Sequence, residues 1–302
     1  MLAIASMPGS RKPPKRCIRS THACNNVSRY QDIKKETQVA DLELSKEGRV
    51  VVARLNRPEK KNAQSEEMLE MLVDALKCAN EDPQISVFVL TGAGDAFCAG
   101  GDLGRRSNER DAAAPTPLER MDRLHVVSHK VARAVEEFEK PLIAAVNGAA
   151  VGAGMDLSLM CDIRFAAKSA RFAEAYIRVG LIPGNGGCYF LPRIVGIAKA
   201  LELLWTGEFL SADAALELGI VTRVYDDEQL MTETLAFAQR LAEGPPIQQR
   251  EIKKLLYQSL NTDLRTSLRA VSAHMAVVQS TEDYKEAISA YKERRTPVFK
   301  GR

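Results

Sequence analysis

The sequence has few of the residues that mark metal, disulfide or membrane proteins. Its 302 residues include only four histidines, and its six cysteines form no Cys-x-x-Cys pair. No apolar run approaches the roughly 18 residues that a membrane-spanning helix requires. The irregular cysteine spacing gives no disulfide framework, so we expect a reducing compartment, either the cytoplasm or the mitochondrial matrix. We also expect no membrane association.

Three common catalytic or nucleotide-binding motifs are missing as well. No Gly-x-Gly-x-x-Gly follows the first predicted strand, and there is no Gly-x-x-x-x-Gly-Lys-Ser/Thr phosphate loop. No serine-hydrolase elbow surrounds Ser65.

His125 and His129 are one helical turn apart, but they lack the adjacent glutamate of a metalloprotease motif. We interpret them as a solvated helix face and expect no metal site.

Positive charge is concentrated in the first 38 residues. This arm carries eight Lys or Arg against two acids, Asp32 and Glu36, although the whole chain has a net charge of only +3. The remaining residues are therefore mildly acidic, and we expect no nucleic-acid partner. The arm is predicted to be disordered, and its basic, serine-containing composition also allows a transit peptide. Three prolines in its first half would break the amphipathic helix of such a peptide, so both interpretations remain open.

Two glycine-rich segments follow apolar strands. Residues 147–156, Asn-Gly-Ala-Ala-Val-Gly-Ala-Gly-Met-Asp, connect an apolar strand to a predicted helix. Gly152 and Gly154 allow the backbone to approach a ligand, and the first amides of the helix have no internal partner. Asp156 follows within one turn. Free N–H donors beside a proton carrier are what the stabilisation of an enolate requires. A tight turn with a solvated aspartate is the alternative.

The second segment shifts the balance toward function. The apolar residues 87–91 run into residues 92–103, which are again glycine-rich and contain Gly-Gly-Asp. Two strand–loop–helix units of this kind can each direct one backbone amide at the same oxygen. The pair therefore indicates an oxyanion-binding site.

These segments carry a family resemblance. Residues 55–63 (LNRPEKKNA), 97–103 (FCAGGDL), 145–157 (AVNGAAVGAGMDL) and 179–187 (VGLIPGNGG) resemble motifs of the crotonase superfamily, the enoyl-CoA hydratases and isomerases. The similarity covers residues 39–302. It implies an α/β fold, a crotonase-like spiral of repeated ββα units over residues 39–226. It also implies a helical region over residues 227–302 that would assemble homotrimers or dimers of trimers.

The same resemblance implies a substrate and a set of site residues. The substrate would be an acyl-CoA thioester, with no cofactor beyond the coenzyme A of the substrate itself. The amides of Gly101 and Ala153 would hold the thioester oxyanion. The residues implied in binding the coenzyme A moiety are Arg57, Lys60, Ala63, Ala99, Gly101, Asp102, Leu103 and Ala153.

The acids that move protons depart from the family pattern. Asp156 occupies one acid position of the hydratases, but Tyr176 stands at the second, where a phenol can donate a hydrogen bond yet is a poor base. Glu174 lies two residues earlier, and on an extended segment it would point to the same side as Tyr176. Asn185 is neutral where some isomerases have an acid.

The acid count leaves the reaction open. A single acid favours double-bond isomerisation, whereas the commonest activity of the family favours hydration. A thioester hydrolase and an inactive scaffold or RNA-binding protein are further alternatives.

Local patterns predict several elements. Strands are expected at residues 39–44 and 49–55 around a turn at 46–48. Ser65 is expected to cap a helix whose buried face contains Met68, Leu72 and Leu76. A long helix is predicted at residues 117–138, after a lid-like loop at residues 105–115.

Overall fold

The computed structural model describes residues 40–102 and 115–302. The predicted basic arm, Leu103 and nearly all of the predicted lid-like loop lie outside these residues. Within the described ranges, no helix combines the length and the apolarity needed to cross a membrane.

A six-stranded sheet forms the centre of the fold. Its strands are β1 (Leu42–Glu47), β2 (Val50–Leu55), β3 (Val87–Gly92), β5 (Leu142–Val146), β7 (Ile163–Ala167) and β10 (Arg223–Tyr225). They lie side by side in this order, with β1 and β2 antiparallel and the other neighbours parallel. The central strands β3 and β5 are buried along their whole length because helices cover both faces of the sheet.

A second sheet of four short strands lies in the order β4-β6-β8-β9. Its strands are β4 (Ala96–Cys98), β6 (Ala149–Val151), β8 (Arg171–Ala173) and β9 (Leu210–Ser211). Three times the chain passes from a strand of the large sheet directly to a strand of the small one: β3 to β4, β5 to β6 and β7 to β8. After β4 and β6, helices return the chain to the large sheet. After β8 the chain first reaches β9 of the small sheet and then, through one more helix, β10 of the large sheet. This repetition is the ββα spiral that the family resemblance implied.

Eleven α-helices occur in the described residues. They are α1 (Glu66–Glu81), α2 (Pro117–Arg123), α3 (His129–Glu136), α4 (Ala153–Leu159), α5 (Gly187–Val195), α6 (Ile197–Thr206), α7 (Ala212–Glu217), α8 (Leu230–Ala242), α9 (Pro246–Ser259), α10 (Leu264–Ser280) and α11 (Glu282–Glu293). Two 3₁₀ helices, Pro58–Lys60 and Ala175–Val179, and a π-helix, Leu124–Ser128, complete the helical elements.

The two faces of the large sheet build two separate cores. In β2, Val51 and Ala53 belong to the core that includes α1, whereas Val50 and Val52 belong to the core that includes α8. This alternation follows from the two-residue period of a strand. Because α8 covers the second face of the sheet, it is part of the packing that holds the strands in place.

The local predictions were confirmed in part. The Ser65 hydroxyl accepts a hydrogen bond from the Met68 amide at 3.0 Å and caps α1, as predicted. The first strand begins and ends three residues later than predicted, since the hairpin turn consists only of Gly48 and Arg49. The helix predicted at residues 117–138 forms as α2 and α3, joined through the π-helix.

We predict that Gly154→Ala disrupts the contact between α4 and β4. A Cβ atom on Gly154 would lie 2.0 Å from the carbonyl oxygen of Cys98 in β4, which is backbone and cannot rotate away. We expect a loss of about 2–3 kcal/mol in the free energy of unfolding, measured by thermal denaturation.

Gly101→Ala is the matched control, because a Cβ atom there would meet nothing within 4 Å. The Tm of that variant should stay close to the wild-type value. An equally small change for Gly154→Ala would show that the two loops are not packed as described.

Candidate active site

The first glycine loop follows β4 and lies directly against the second. Gly100 has a φ of +101°, and a Cβ atom at this position would come within 2.8 Å of the Val151 carbonyl oxygen and 3.6 Å of the Ala153 nitrogen. Only glycine combines this backbone angle with such a close approach. The fold therefore brings the two loops singled out in the sequence into contact.

The second loop places the first amides of α4 at this contact. Gly152, with a φ of +52°, donates its amide hydrogen to the Ala173 carbonyl at 2.7 Å, and α4 begins at the next residue. No acceptor among the described residues takes the amide hydrogen of Gly101 or Ala153. Both amides predicted to bind an oxyanion are thus on adjoining loops and have no acceptor there.

Gln64 joins the two loops, and the sequence gave no sign of this role. Its amide donates to the Gly100 carbonyl at 2.8 Å, and its side-chain nitrogen donates to the Ala153 carbonyl at 2.9 Å. Its side-chain oxygen accepts a hydrogen bond from the side-chain Nδ2 of Asn185 at 3.5 Å. One residue therefore fixes both loops and touches a third segment of the site.

Two asparagines fix the turn between β3 and β4, which leads into the first loop. The buried side chain of Asn62 donates to the carbonyls of Ala93 and Ala96 at 2.8 and 2.7 Å. The Asn147 side chain accepts from the Gly92 amide at 2.9 Å. Both belong to the motifs quoted above, yet their partners lie 31 to 55 residues away. The sequence therefore gave no basis for assigning these contacts.

Asp156 lies in α4, completely buried. Its Oδ2 accepts hydrogen bonds from the Tyr176 hydroxyl at 2.5 Å and from the Asn185 amide at 3.2 Å. Burial is the main reason why the pKa of Asp156 rises from 3.8 to about 6, and the hydrogen bonds from Tyr176 and Asn185 oppose that rise. A carboxyl group with a pKa close to neutrality is suited to both accepting and releasing a proton.

Glu174 is the second buried carboxyl group. A Cβ atom on Gly187 would lie 2.6 Å from Asp156 Oδ1 and 2.9 Å from Glu174 Oε1, so the two side chains meet over this glycine. Burial first, and then the charge of Asp156, raise the pKa of Glu174 to about 10. Burial and mutual repulsion thus oppose ionisation of both carboxyl groups at once, and they act more strongly on Glu174 than on Asp156.

Tyr176 stands beside this pair for a different reason than the one predicted. Glu174 and Tyr176 were expected to point to the same side of an extended segment, but Glu174 precedes the 3₁₀ helix Ala175–Val179 that contains Tyr176. That part of the prediction was wrong. The turn brings both side chains to Asp156, and burial raises the pKa of the phenol further above its usual range.

Comparison with known proteins gives a consistent result. The family model for enoyl-CoA hydratase/isomerase matches residues 45–302. The chain belongs to the enoyl-CoA hydratase/isomerase family.

Several relatives and solved structures resemble this family member over nearly their whole length. The chain is 36% identical to 2,3-dehydroadipyl-CoA hydratase of Escherichia coli, covering 87% of this chain and 100% of the relative. It is 37% identical to 1,2-epoxyphenylacetyl-CoA isomerase of the same organism, covering 84% and 95%. The crystal structure of enoyl-CoA hydratase from Bacillus anthracis superposes with a TM-score of 0.81 at 35% identity, covering 87% and 100%.

Two of the residues predicted to bind coenzyme A, Arg57 and Lys60, lie beside Asp102 in the first loop. Arg57 forms ion pairs with Asp102 at 3.0 Å and Asp41 at 3.4 Å, and it donates to the Ala63 carbonyl at 2.6 Å. Lys60 reaches the same Asp102 at 3.2 Å and stays half exposed. Arg57 is thus bound within the protein, whereas Lys60 remains accessible to an anion.

The remaining predicted residues have separate positions. Ala99 is exposed, and its amide donates to the Lys61 carbonyl at 2.9 Å. The rings of His125 and His129 lie 6.1 Å apart, and His129 Nε2 lies 2.9 Å from the Gly184 carbonyl oxygen. This histidine contacts the segment that covers the buried carboxyl pair. The face predicted to be fully solvated is therefore partly packed.

We predict that the two buried carboxyl groups destabilise the fold at neutral pH. Because the pKa of Asp156 is higher in the folded than in the unfolded state, its favourable contribution is complete below about pH 4 and is lost as the pH rises through about 6. Asp156→Asn should therefore gain stability relative to wild type between pH 4 and pH 7, by up to about 3 kcal/mol. Glu174→Gln should also gain stability relative to wild type, over a pH range that extends toward 10.

Chemical denaturation at pH 4, 5.5 and 7 measures this difference. Asp95→Asn serves as a control, because the hydrogen bond from Lys61 lowers the pKa of the exposed Asp95. For that variant, the pH-dependent difference in stability from wild type should have the opposite sign and be small. A pH-independent difference between wild type and Asp156→Asn would contradict the assignment of a raised pKa.

Proposed function

We propose that the protein converts enoyl-CoA thioesters through an enolate whose oxygen is held by the amides of Gly101 and Ala153. The observation that supports this proposal most directly is the buried carboxyl pair Asp156–Glu174 beside two adjoining loops with available amides. The reaction we propose needs no cofactor beyond the coenzyme A of the substrate. A reducing compartment, cytoplasmic or mitochondrial, remains the proposed location.

The physical basis is the charge that develops during proton transfer. Removing a proton from a carbon conjugated to the thioester, or adding water to the double bond, places negative charge on the thioester oxygen. Each backbone donor directed at that oxygen can contribute roughly 3 kcal/mol to the stabilisation of the transition state. The donors need no reorganisation, because the contact between the loops fixes them before substrate arrives.

Two reactions fit this site, and a different observation favours each. Hydration uses one group to activate water and another to protonate carbon, and the proximity of Glu174 to Asp156 supports a role for Glu174 as the second group. Isomerisation uses a single base that moves one proton, and burial together with the charge of Asp156 opposes ionisation of Glu174, which favours Asp156 as that base. The acid count from the sequence had favoured isomerisation because it assigned Asp156 alone.

We predict that Asp156→Asn lowers turnover by about 100-fold or more, since it removes the ionised proton carrier. Affinity for the thioester should be preserved, because the two amides and the loop at residues 57–63 remain. Steady-state kinetics on a panel of enoyl-CoA substrates, with products identified by mass, measures both quantities. Asp74→Asn, an exposed change on α1, is the control and should behave as wild type.

Glu174→Gln then separates the two reactions. Glutamine can still donate a hydrogen bond to Asp156 but cannot release a proton. If Glu174 supplies the second proton of hydration, this variant should lose water addition and keep double-bond migration. A nearly full rate of Asp156→Asn on every enoyl-CoA would contradict the catalytic assignment and favour an inactive scaffold. Free coenzyme A as the main product would identify a thioester hydrolase.

We also propose that the protein assembles as a homotrimer or a dimer of trimers through its C-terminal helices. In α9 and α10 and the turn between them, five large aliphatic side chains are more than half exposed: Ile252, Leu256, Leu260, Leu264 and Leu268. A contiguous apolar surface of this kind is uncommon on a monomer. The partner we propose for this surface is a second copy of the chain.

Analytical ultracentrifugation at micromolar concentration tests the assembly. We expect sedimentation as a trimer or hexamer, and Leu264→Lys should shift the distribution toward smaller species because it places a charge in the proposed interface. A wild-type protein that sediments only as a monomer would contradict the proposal.

A further inference from the structure

Neither oxygen of the Asp156 carboxylate is open to a substrate. The residue has no exposed surface, Oδ2 is occupied by the Tyr176 hydroxyl and the Asn185 amide, and Oδ1 faces Glu174 across Gly187. Glu174 is itself only 2% exposed. A proton that travels between this pair and a substrate must therefore pass through another group.

Tyr176 is the group in the required position. Its side chain is partly exposed, and its hydroxyl hydrogen is donated to Asp156 at 2.5 Å. Atoms of its ring lie 3.7–3.8 Å from the place of a Cβ atom on Gly152, the residue directly before Ala153. The phenol thus separates the buried carboxylate from the loop that carries one of the two oxyanion amides.

We propose that the hydroxyl oxygen of Tyr176 exchanges protons with the substrate carbon and passes them to and from Asp156. In the forward step the substrate proton moves to the phenol oxygen while the phenol's own proton moves to Asp156 Oδ2. The electron pair of the broken C–H bond enters the enolate, whose charge the amides of Gly101 and Ala153 hold. In the return step Asp156 gives its proton to the phenol, and the phenol protonates carbon.

The surrounding contacts fit a concerted transfer. The Tyr176 hydrogen already points at its acceptor, so the oxygen has a free lone pair for an incoming proton. Burial and the nearby Asp156 oppose ionisation of Glu174, so Asp156 is the carboxyl group that accepts the proton. Burial disfavours a free phenolate, which is why both protons must move in the same step.

The inference rests on the proposed function and adds to it one step that can fail separately. If the phenol only orients the substrate, removal of its hydroxyl should lower kcat roughly tenfold, because one hydrogen bond is lost. A phenol that carries the proton should cost as much as Asp156→Asn, at least about 100-fold.

Tyr176→Phe is the test, assayed beside wild type, Asp156→Asn and the double variant on an enoyl-CoA that the wild type converts. Tyr257→Phe is the matched control, because its hydroxyl donates to Asp162 at 2.9 Å in a phenol–carboxylate pair outside the site. We expect Tyr176→Phe to lose at least about 100-fold in kcat with little change in KM. The double variant should lose no more than either single variant, because both changes interrupt one relay. Tyr257→Phe should retain the wild-type kcat.

A solvent isotope effect gives a readout that an orienting role would not change. When protium is removed from the substrate carbon in D2O, a relay moves the deuteron of the Tyr176 hydroxyl in the same step, so removal should be slower than in water. Direct transfer from carbon to carboxylate moves no exchangeable proton and gives no such effect. We expect a normal effect in the wild type and none in the residual activity of Tyr176→Phe.

Three outcomes are distinguishable. A tenfold or smaller loss in Tyr176→Phe, or proton removal that is equally fast in D2O, would overturn the relay while leaving Asp156 as the catalytic base. A wild-type protein that converts no enoyl-CoA would instead refute the proposed function. A large loss in Tyr176→Phe with an unchanged Tm, together with the solvent isotope effect, would support the relay.

Discussion

Backbone contact between the two glycine loops is the constraint on which the site depends. A Cβ atom on Gly154 would lie 2.0 Å from the Cys98 carbonyl oxygen, and one on Gly100 would lie 2.8 Å from that of Val151. Such distances are possible only between bare backbones. They bring the end of β4 and the start of α4 together, and with them the two amides predicted to bind the oxyanion. Gln64 then stabilises this arrangement by hydrogen bonds to both loops.

In the function proposed above, the buried carboxyl pair makes catalysis and stability oppose each other. Asp156 and Glu174 lie in a region where burial raises both pKa values, and several of their oxygens find no donor among the described residues when both are ionised. An apolar pair would stabilise the fold more. Yet the desolvation that weakens the fold also brings the pKa of Asp156 to about 6, close to the pH at which a proton carrier works best. The instability is thus a direct consequence of the property that the chemistry needs.

Much of the fold could be predicted because it depends on local patterns. The cap at Ser65, the buried face of α1 and the apolar strands that lead into each glycine loop follow from spacings of a few residues. Gln64 could not be found in this way, because its side-chain partner lies 89 residues away. The position of Glu174 depended on whether its segment is extended, and the 3₁₀ turn after it left no distinctive pattern in the sequence.

The two basic residues predicted to bind coenzyme A, Arg57 and Lys60, differ in how freely their charge can reach a ligand. Arg57 is shared between Asp41 and Asp102, has an 11% exposed side chain and also holds the Ala63 carbonyl, so its charge mainly fixes the loop. Lys60 pairs with the same Asp102 from a half-exposed position and can turn toward a phosphate at little cost. Because Asp102 follows Gly101 directly, a phosphate that draws Lys60 away would alter the charge next to one oxyanion amide. We therefore propose that recognition of the nucleotide end and stabilisation of the enolate share one carboxylate, that of Asp102.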